Sequence, residues 1–183
     1  MKKIILAIIV VTVSILNTNA QQKEQEQKKN KNRITYSLGG DIGVPAGYVS
    51  TYSSLVAGAS LQAEYPALKR IGITGNAGYL NFIAKRGGKG VPFIPLLAGL
   101  KYYFTPLIYA SGQAGISFYG GRDHGDGQGG GSGEKYFTYV PGVGFKTSKH
   151  FDVLLKYETV YIGSSGRSYS FAGARISYNF NLN

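Results

Sequence analysis

The stretch FIPLLAGLKYYFTPLIYASGQAGISFY occupies residues 93–119. Its first half sets Ile94, Leu96, Ala98, Leu100, Tyr102 and Phe104 against Gly99, Lys101 and Tyr103. After the break at Thr105 and Pro106, Ile108, Ala110, Ala114, Ile116 and Phe118 alternate with Ser111, Gln113, Gly115 and Ser117. A period of two is that of a strand with one apolar face, and a proline between two such runs ends the first and starts a turn. The stretch therefore predicts a tight β-hairpin.

The same alternation extends in both directions. Upstream it covers Ile34 to Val44, Ser53 to Tyr65 and Ile71 to Ile83; downstream it covers Tyr136 to Lys146, Phe151 to Ile162 and Tyr169 to Phe180. Together these make eight runs of about 11 residues, the length of a tilted strand crossing a bilayer. The connections PAGYVST, PALKR, AKRGGKGVP, TP, GGRDHGDGQGGGSGEK, TSKH and GSSGRS alternate longer and shorter. Membrane barrels have long loops on one side and short turns on the other, so the pattern predicts an all-β, eight-stranded antiparallel up-and-down transmembrane β-barrel over 34–183.

The location of the charges decides which face meets lipid. Glu64, Lys101, Lys146, Asp152, Lys156, Glu158 and Arg175 share the face that carries Gly, Ser, Thr and Asn. The opposite face is almost uncharged and places aromatics near strand ends. Tyr36, Tyr65, Tyr102, Phe104, Phe145, Phe151, Tyr178 and Phe180 lie at the turn end, and Tyr79, Phe118, Phe137 and Tyr161 lie towards the loops. Two aromatic girdles around an apolar band are the mark of a membrane barrel, whereas a soluble barrel reverses the sense.

The start of the chain reads as a secretory leader. Lys2 and Lys3 precede an apolar run from Ile4 to Leu16, too short to span a bilayer, and small Thr18 and Ala20 suit cleavage after residue 20. With no cysteine anywhere, lipid attachment at a thiol, disulfides and thiolate chemistry are excluded. Residues 21–33, QQKEQEQKKNKNR, contain no apolar side chain and predict a disordered periplasmic lead-in. The net charge of +11 is spread over leader, lead-in and body. No basic and aromatic patch of the kind that reads nucleic acid appears, so no nucleic-acid partner is expected.

The runs IPLLAGLKYYF (94–104), SGQAGISFYGG (111–121) and GARISYNF (173–180) resemble the small outer-membrane β-barrel proteins that include the OmpA transmembrane domain, OmpX and OmpW. The resemblance covers residues 34 to 180. It implies a bacterial outer-membrane location with periplasmic termini, and contact with outer-membrane lipid and lipopolysaccharide. It also implies delivery by the barrel assembly machinery, with Tyr178 and Phe180 resembling the C-terminal aromatic that this machinery reads. A monomer is expected.

Two constellations inside the barrel are candidate sites. Glu64, Lys101, Lys156, Glu158 and Arg175 are expected to form a charge-paired luminal plug, since an unpaired charge in a crowded lumen is costly. Nearer the loops, the inward parity carries Leu80, Phe82, Leu97, Val140, Val160 and Phe171, with Phe93, Tyr119, Ile162 and Tyr169 beside them. These predict an apolar vestibule. The expected function is therefore a non-enzymatic outer-membrane barrel, either structural or surface-presenting or a narrow porin-like channel. The alternative is binding or passage of small hydrophobic molecules, which resembles what OmpW-like barrels are proposed to do.

An enzyme of outer-leaflet lipid needs His, Ser and an acid gathered near the outer rim. His124 lies in the Gly-rich loop, and His150 in the turn TSKH on the other side. No catalytic residues are assigned. Asp123, His124, Asp126 and Glu134 could hold a cation, but a single irregular Gly-Asp stretch without a repeat reads as an external loop. No metal or cofactor is expected.

Overall fold

The computed structural model describes residues 34–121, 133–163 and 167–180. The leader, the lead-in, and His124, Asp123 and Asp126 of the Gly-rich loop lie outside these. Eight strands follow one another: β1 Thr35–Ala46, β2 Ser53–Leu68, β3 Ile71–Ala84, β4 Val91–Tyr103, β5 Ile108–Tyr119, β6 Lys135–Lys146, β7 Phe151–Ile162 and β8 Arg167–Phe180. Each pairs antiparallel with the next, and β8 pairs back with β1 from Tyr36↔Phe180 to Ala46↔Ser170, closing the barrel.

The strict period of two becomes a division between outside and inside. Leu38, Ile42, Val44, Leu61, Ile73, Leu96, Leu100, Val143, Leu155 and Ile176 are exposed, Val44 by 66% and Leu155 by 63%. Asp41, Gln62, Lys101, Gln113, Glu158 and Arg175 are buried. The apolar residues thus face outward and the charges inward, an arrangement that suits lipid rather than water as the surrounding solvent. Tyr65, Tyr102, Phe104, Phe151 and Tyr178 ring the turn end, while Tyr79, Phe137 and Tyr161 ring the loop end, all exposed.

Connections differ between the two ends. On the turn side, Thr105 Oγ accepts the backbone N–H groups of Leu107 and Ile108 at 3.2 and 3.0 Å, and Ser148 Oγ accepts those of His150 and Phe151 at 3.2 and 3.1 Å. A hydroxyl that satisfies backbone donors is what makes such short turns stable. On the loop side, PAGYVST is more than a loop. Its residues Gly47–Thr51 form a 3-10 helix that starts at a glycine with φ +66° and buries Val49.

Besides register shifts of β2 against β3 at Ser53/Leu55 and Pro66/Leu68, two ladders have a gap beside a proline. Between Ala77↔Leu96 and Leu80↔Phe93 no pairs link β3 to β4, where Pro95 sits; between Tyr139↔Thr159 and Gly142↔Lys156 none link β6 to β7, where Pro141 sits. Proline has no N–H to give to a ladder. Pro95 faces the lumen and is buried, whereas Pro141 is exposed on the outer wall.

Candidate functional site in the barrel lumen

The lumen is filled by three layers stacked from turns to loops. The floor is built by β2, β4, β5 and β7. Lys101 Nζ lies 3.0 Å from Glu64 Oε2 and 3.9 Å from Asp152 Oδ2. Tyr103 donates its hydroxyl to Glu64 Oε1 at 2.5 Å, and Tyr109 donates to Asp152 Oδ1 at 2.5 Å. Lys101 lies 4.5 Å from the Tyr109 ring centroid and Lys146 lies 4.5 Å from that of Tyr103, so each ring also faces an ammonium. Room for Tyr109 comes from Gly144 on the neighbouring strand, where a Cβ would collide with the phenol ring. Replacing Tyr109 with Phe keeps the ring and removes the donor, leaving Asp152 buried with Lys101 at 3.9 Å as its charge partner. We expect a loss of about 1–3 kcal/mol in urea unfolding of the reconstituted barrel.

Above a neutral rung, where Gln113 Nε2 donates to Gln62 Oε1 at 3.0 Å, lies the second layer. Lys156 Nζ bridges Asp41 Oδ1 at 2.6 Å and Glu158 Oε2 at 2.8 Å. Arg175 starts opposite Asp41 in the β1–β8 register, yet its guanidinium turns away towards the floor. Its Nε donates to Ser60 Oγ at 2.7 Å and its Nη2 donates to Ser37 Oγ at 3.1 Å. The path crosses Gly39, where a Cβ would meet the guanidinium. Ser60 Oγ in turn donates to Asp41 Oδ2 at 2.8 Å, so the arginine reaches the acid through a hydroxyl. Within the expected charge-paired plug, Arg175 thus reaches an acid through a relay, because small side chains on β1 and β2 open a slot beside it.

The third layer is apolar. Val49, Val56, Leu80, Phe82, Phe93, Val160 and Phe171 form one buried cluster, against which Val91, Tyr119, Tyr136 and Tyr169 pack. Phe82 stands at its centre, with ring centroids at 5.9 Å to Phe93, 5.4 Å to Tyr169 and 5.9 Å to Phe171, all edge to face. Lys156 Nζ lies 5.2 Å from the Phe171 ring, joining this layer to the charges below. Leu97 and Val140 are also buried. Of the residues expected to line a vestibule, Leu80, Phe82, Val160 and Phe171 therefore pack into one cluster, while Leu97 and Val140 are buried outside it. A void of about 10 Å³, room for about one water, runs from Gln62 and Gln113 past Asp41, Lys156, Glu158 and Arg175 to Leu80 and Leu97.

Of the expected charge network, Glu64 pairs with Lys101 and Glu158 pairs with Lys156, in two separate layers. Asp41, Asp152, Tyr103, Tyr109 and Leu154 complete those layers. Asp152 is on the inward face read from the sequence, and the other four share that inward parity, which was the signal that could have found them. Val49 carried no such signal, since it lies outside the alternating runs. His150 lies on the turn-side rim, stacked on Tyr178 with centroids 5.4 Å apart and planes at 12°. Glu134 of the Gly-rich loop accepts the Tyr136 hydroxyl.

No protein-family model matches the chain, and no curated protein sequence does. Solved structures do match. Ail, the attachment invasion locus protein of Yersinia pestis, is 16% identical over 82% of this chain and 99% of its own, with a TM-score of 0.55. The N-terminal β-barrel domain of Pseudomonas aeruginosa OprF is 13% identical over 82% of this chain and 98% of its own, also at 0.55. At such identities the likeness is one of architecture. The chain has the fold of the small eight-stranded outer-membrane β-barrels.

Proposed function

We propose that this protein is a non-enzymatic, structural or surface-presenting barrel of the bacterial outer membrane, with turns and termini on the periplasmic side and a lumen closed at rest. The observation that carries the reading is the filling of the lumen: the Lys101 and Lys156 ion pairs, the Gln62–Gln113 rung between them and the aromatic cluster around Phe82 pack across the bore in successive layers. Ail, whose barrel shares the architecture, is an outer membrane protein and the attachment invasion locus protein of Yersinia pestis. The apolar outer band supports contact with the lipid and lipopolysaccharide of that membrane. The C-terminal strand supports delivery through the barrel assembly machinery. In planar bilayers the inserted protein is expected to give a quiet baseline with brief openings at most. A steady open conductance in the unmodified protein would overturn the closed-lumen reading.

A second reading is favoured by the interrupted ladders at Pro95 and Pro141, which flank the apolar layer. Wall segments without cross-strand bonds part more easily than intact ones, and a small hydrophobic solute held among Phe82, Phe93 and Phe171 could pass sideways through such a seam. Saturable uptake of an apolar dye into proteoliposomes, lost when Pro95 is replaced by Val, is the expected outcome under this reading. Uptake that is unsaturable or indifferent to Pro95 excludes it.

A further inference from the structure

The connection between β1 and β2 does more than join two strands, because one of its side chains belongs to the lumen. Within the 3-10 helix Gly47–Thr51, Val49 is 2% exposed and sits in the apolar cluster with Val56, Phe82 and Phe171, while Ser50 and Thr51 stay exposed. The helix thus covers the loop-side mouth with one buried side chain.

This helix is closed upon itself. Ser50 Oγ donates to the Gly47 carbonyl at 2.7 Å, the Tyr52 backbone N–H donates to the Val49 carbonyl at 3.0 Å, and the Tyr48 and Tyr52 rings meet with centroids 5.3 Å apart. A segment bonded internally in this way moves as one piece. Both of its junctions with the barrel are irregular. Gly47 has φ +66° with open space around its Cβ position, and on the other side the register of β2 against β3 shifts between Ser53 and Leu55. A glycine in the left-handed region and a bulge at the start of a strand are places where a backbone can turn without breaking a regular ladder.

A lysine in the next loop-side connection holds the helix down. Lys85 donates from its backbone N–H to the Tyr52 carbonyl at 2.8 Å and from Nζ to the Ser50 carbonyl at 2.7 Å. The first bond lies at the β2 hinge; the second reaches the part that would swing. That second bond is exposed, so water competes for it. Lifting the helix therefore gives up the burial of one valine and one solvated bond, little beside what holds a strand in the wall. What it uncovers is apolar: Val56, Phe82 and Phe171. An uncharged apolar solute matches that floor, whereas a charged one would lose its hydration there without gaining a partner.

We propose that the 3-10 helix Gly47–Thr51 is a hinged gate, latched by the Lys85 ammonium, that opens on the loop side to let a small apolar solute take the place of Val49 in the apolar cluster. This rests on the reading of that cluster as a site for small hydrophobic molecules, and adds the side from which they come.

The chain has no cysteine, so one introduced thiol reports its own exposure. In the full chain inserted into nanodiscs, the rate at which Val49→Cys reacts with a polar maleimide is compared with that of exposed Thr51→Cys and of Leu97→Cys, buried in the lumen. Heat-modifiable migration on gels checks each variant for an intact barrel. Val49→Cys is expected to react at least about tenfold more slowly than Thr51→Cys. Adding Lys85→Gln is expected to raise the Val49→Cys rate about tenfold and to leave Leu97→Cys unchanged. Naphthalene is expected to raise the Val49→Cys rate saturably, and naphthalene sulfonate to leave it unchanged. A Val49→Cys rate equal to that of Thr51→Cys, a rate indifferent to Lys85→Gln, or an equal rise at Leu97→Cys overturns the gate. A gate that answers to Lys85→Gln but not to naphthalene overturns the apolar solute as its occupant. The sideways seam fails separately, by dye uptake indifferent to Pro95, and that result leaves the thiol rates as expected here.

Discussion

Replacing Lys156 with Met is expected to destabilise the barrel by about 3–5 kcal/mol in urea unfolding from lipid vesicles. The ammonium lies between Asp41 at 2.6 Å and Glu158 at 2.8 Å, and both acids are almost fully buried, Glu158 to 1% exposure. Methionine fills nearly the same volume, so the loss isolates the charge: two carboxylates are left facing each other in a medium of low dielectric, with only the relayed Arg175 as counter-charge. The same physics predicts a rescue. Lys156→Met with Glu158→Leu removes one acid and one base and leaves Asp41 with its relayed partner Arg175, and replacing a buried ion pair by apolar residues of similar size is often neutral or stabilising. A double variant as unstable as Lys156→Met would show that the second layer acts through shape rather than charge. In planar bilayers the single variant is expected to remain closed at rest, because the apolar layer above it is untouched.

Truncating Phe82 to Ala is expected to cost about 3–5 kcal/mol, the range for removing a buried aromatic ring. Phe82 is 0% exposed and touches Phe93, Tyr169 and Phe171 edge to face, so its loss opens a hole at the centre of the apolar layer. Phe82→Leu keeps most of the volume and is expected to recover more than half of the loss. The two variants also test how the layers are arranged. If lid and ion pairs are barriers in series, Phe82→Ala alone leaves the bilayer quiet, and Phe82→Ala with Lys156→Met produces a measurable conductance. A current from Phe82→Ala alone would mean that the charges beneath do not close the lumen by themselves.

The barrel was legible in the sequence to an unusual degree because its organising signal has a period of two and each strand repeats it. Strand β7 begins and ends where the alternation of FDVLLKYETVYI does, at Phe151 and Ile162. Which residues face inward follows from the same parity, and that parity places Asp41, Asp152, Tyr103 and Tyr109 in the lumen with the others. Parity says nothing about where a long side chain goes once inside. Arg175 stands opposite Asp41 and yet reaches Ser37 and Ser60, because Gly39 leaves a slot that a single strand read alone does not reveal. Val49 was equally hidden. It lies in a connection, and its burial depends on a short 3-10 helix folding over the barrel mouth. The vestibule differs for a related reason: inward apolar residues were read strand by strand, while whether they line a space or fill it depends on the barrel's narrow bore.

The closing seam between β1 and β8 has a consequence for biogenesis. Every other pair of neighbouring strands is joined directly by one turn or loop, but Tyr36 meets Phe180 only after the whole intervening chain has been made. Until then β1 holds a row of unanswered amides and carbonyls, the kind of open border that recruits strands from other molecules. A polypeptide released before its last strand would carry that border permanently, with an apolar flank beside it. Such a fragment is suited to coalescence rather than insertion, so the timing of the final hairpin's arrival governs whether the chain is inserted or lost.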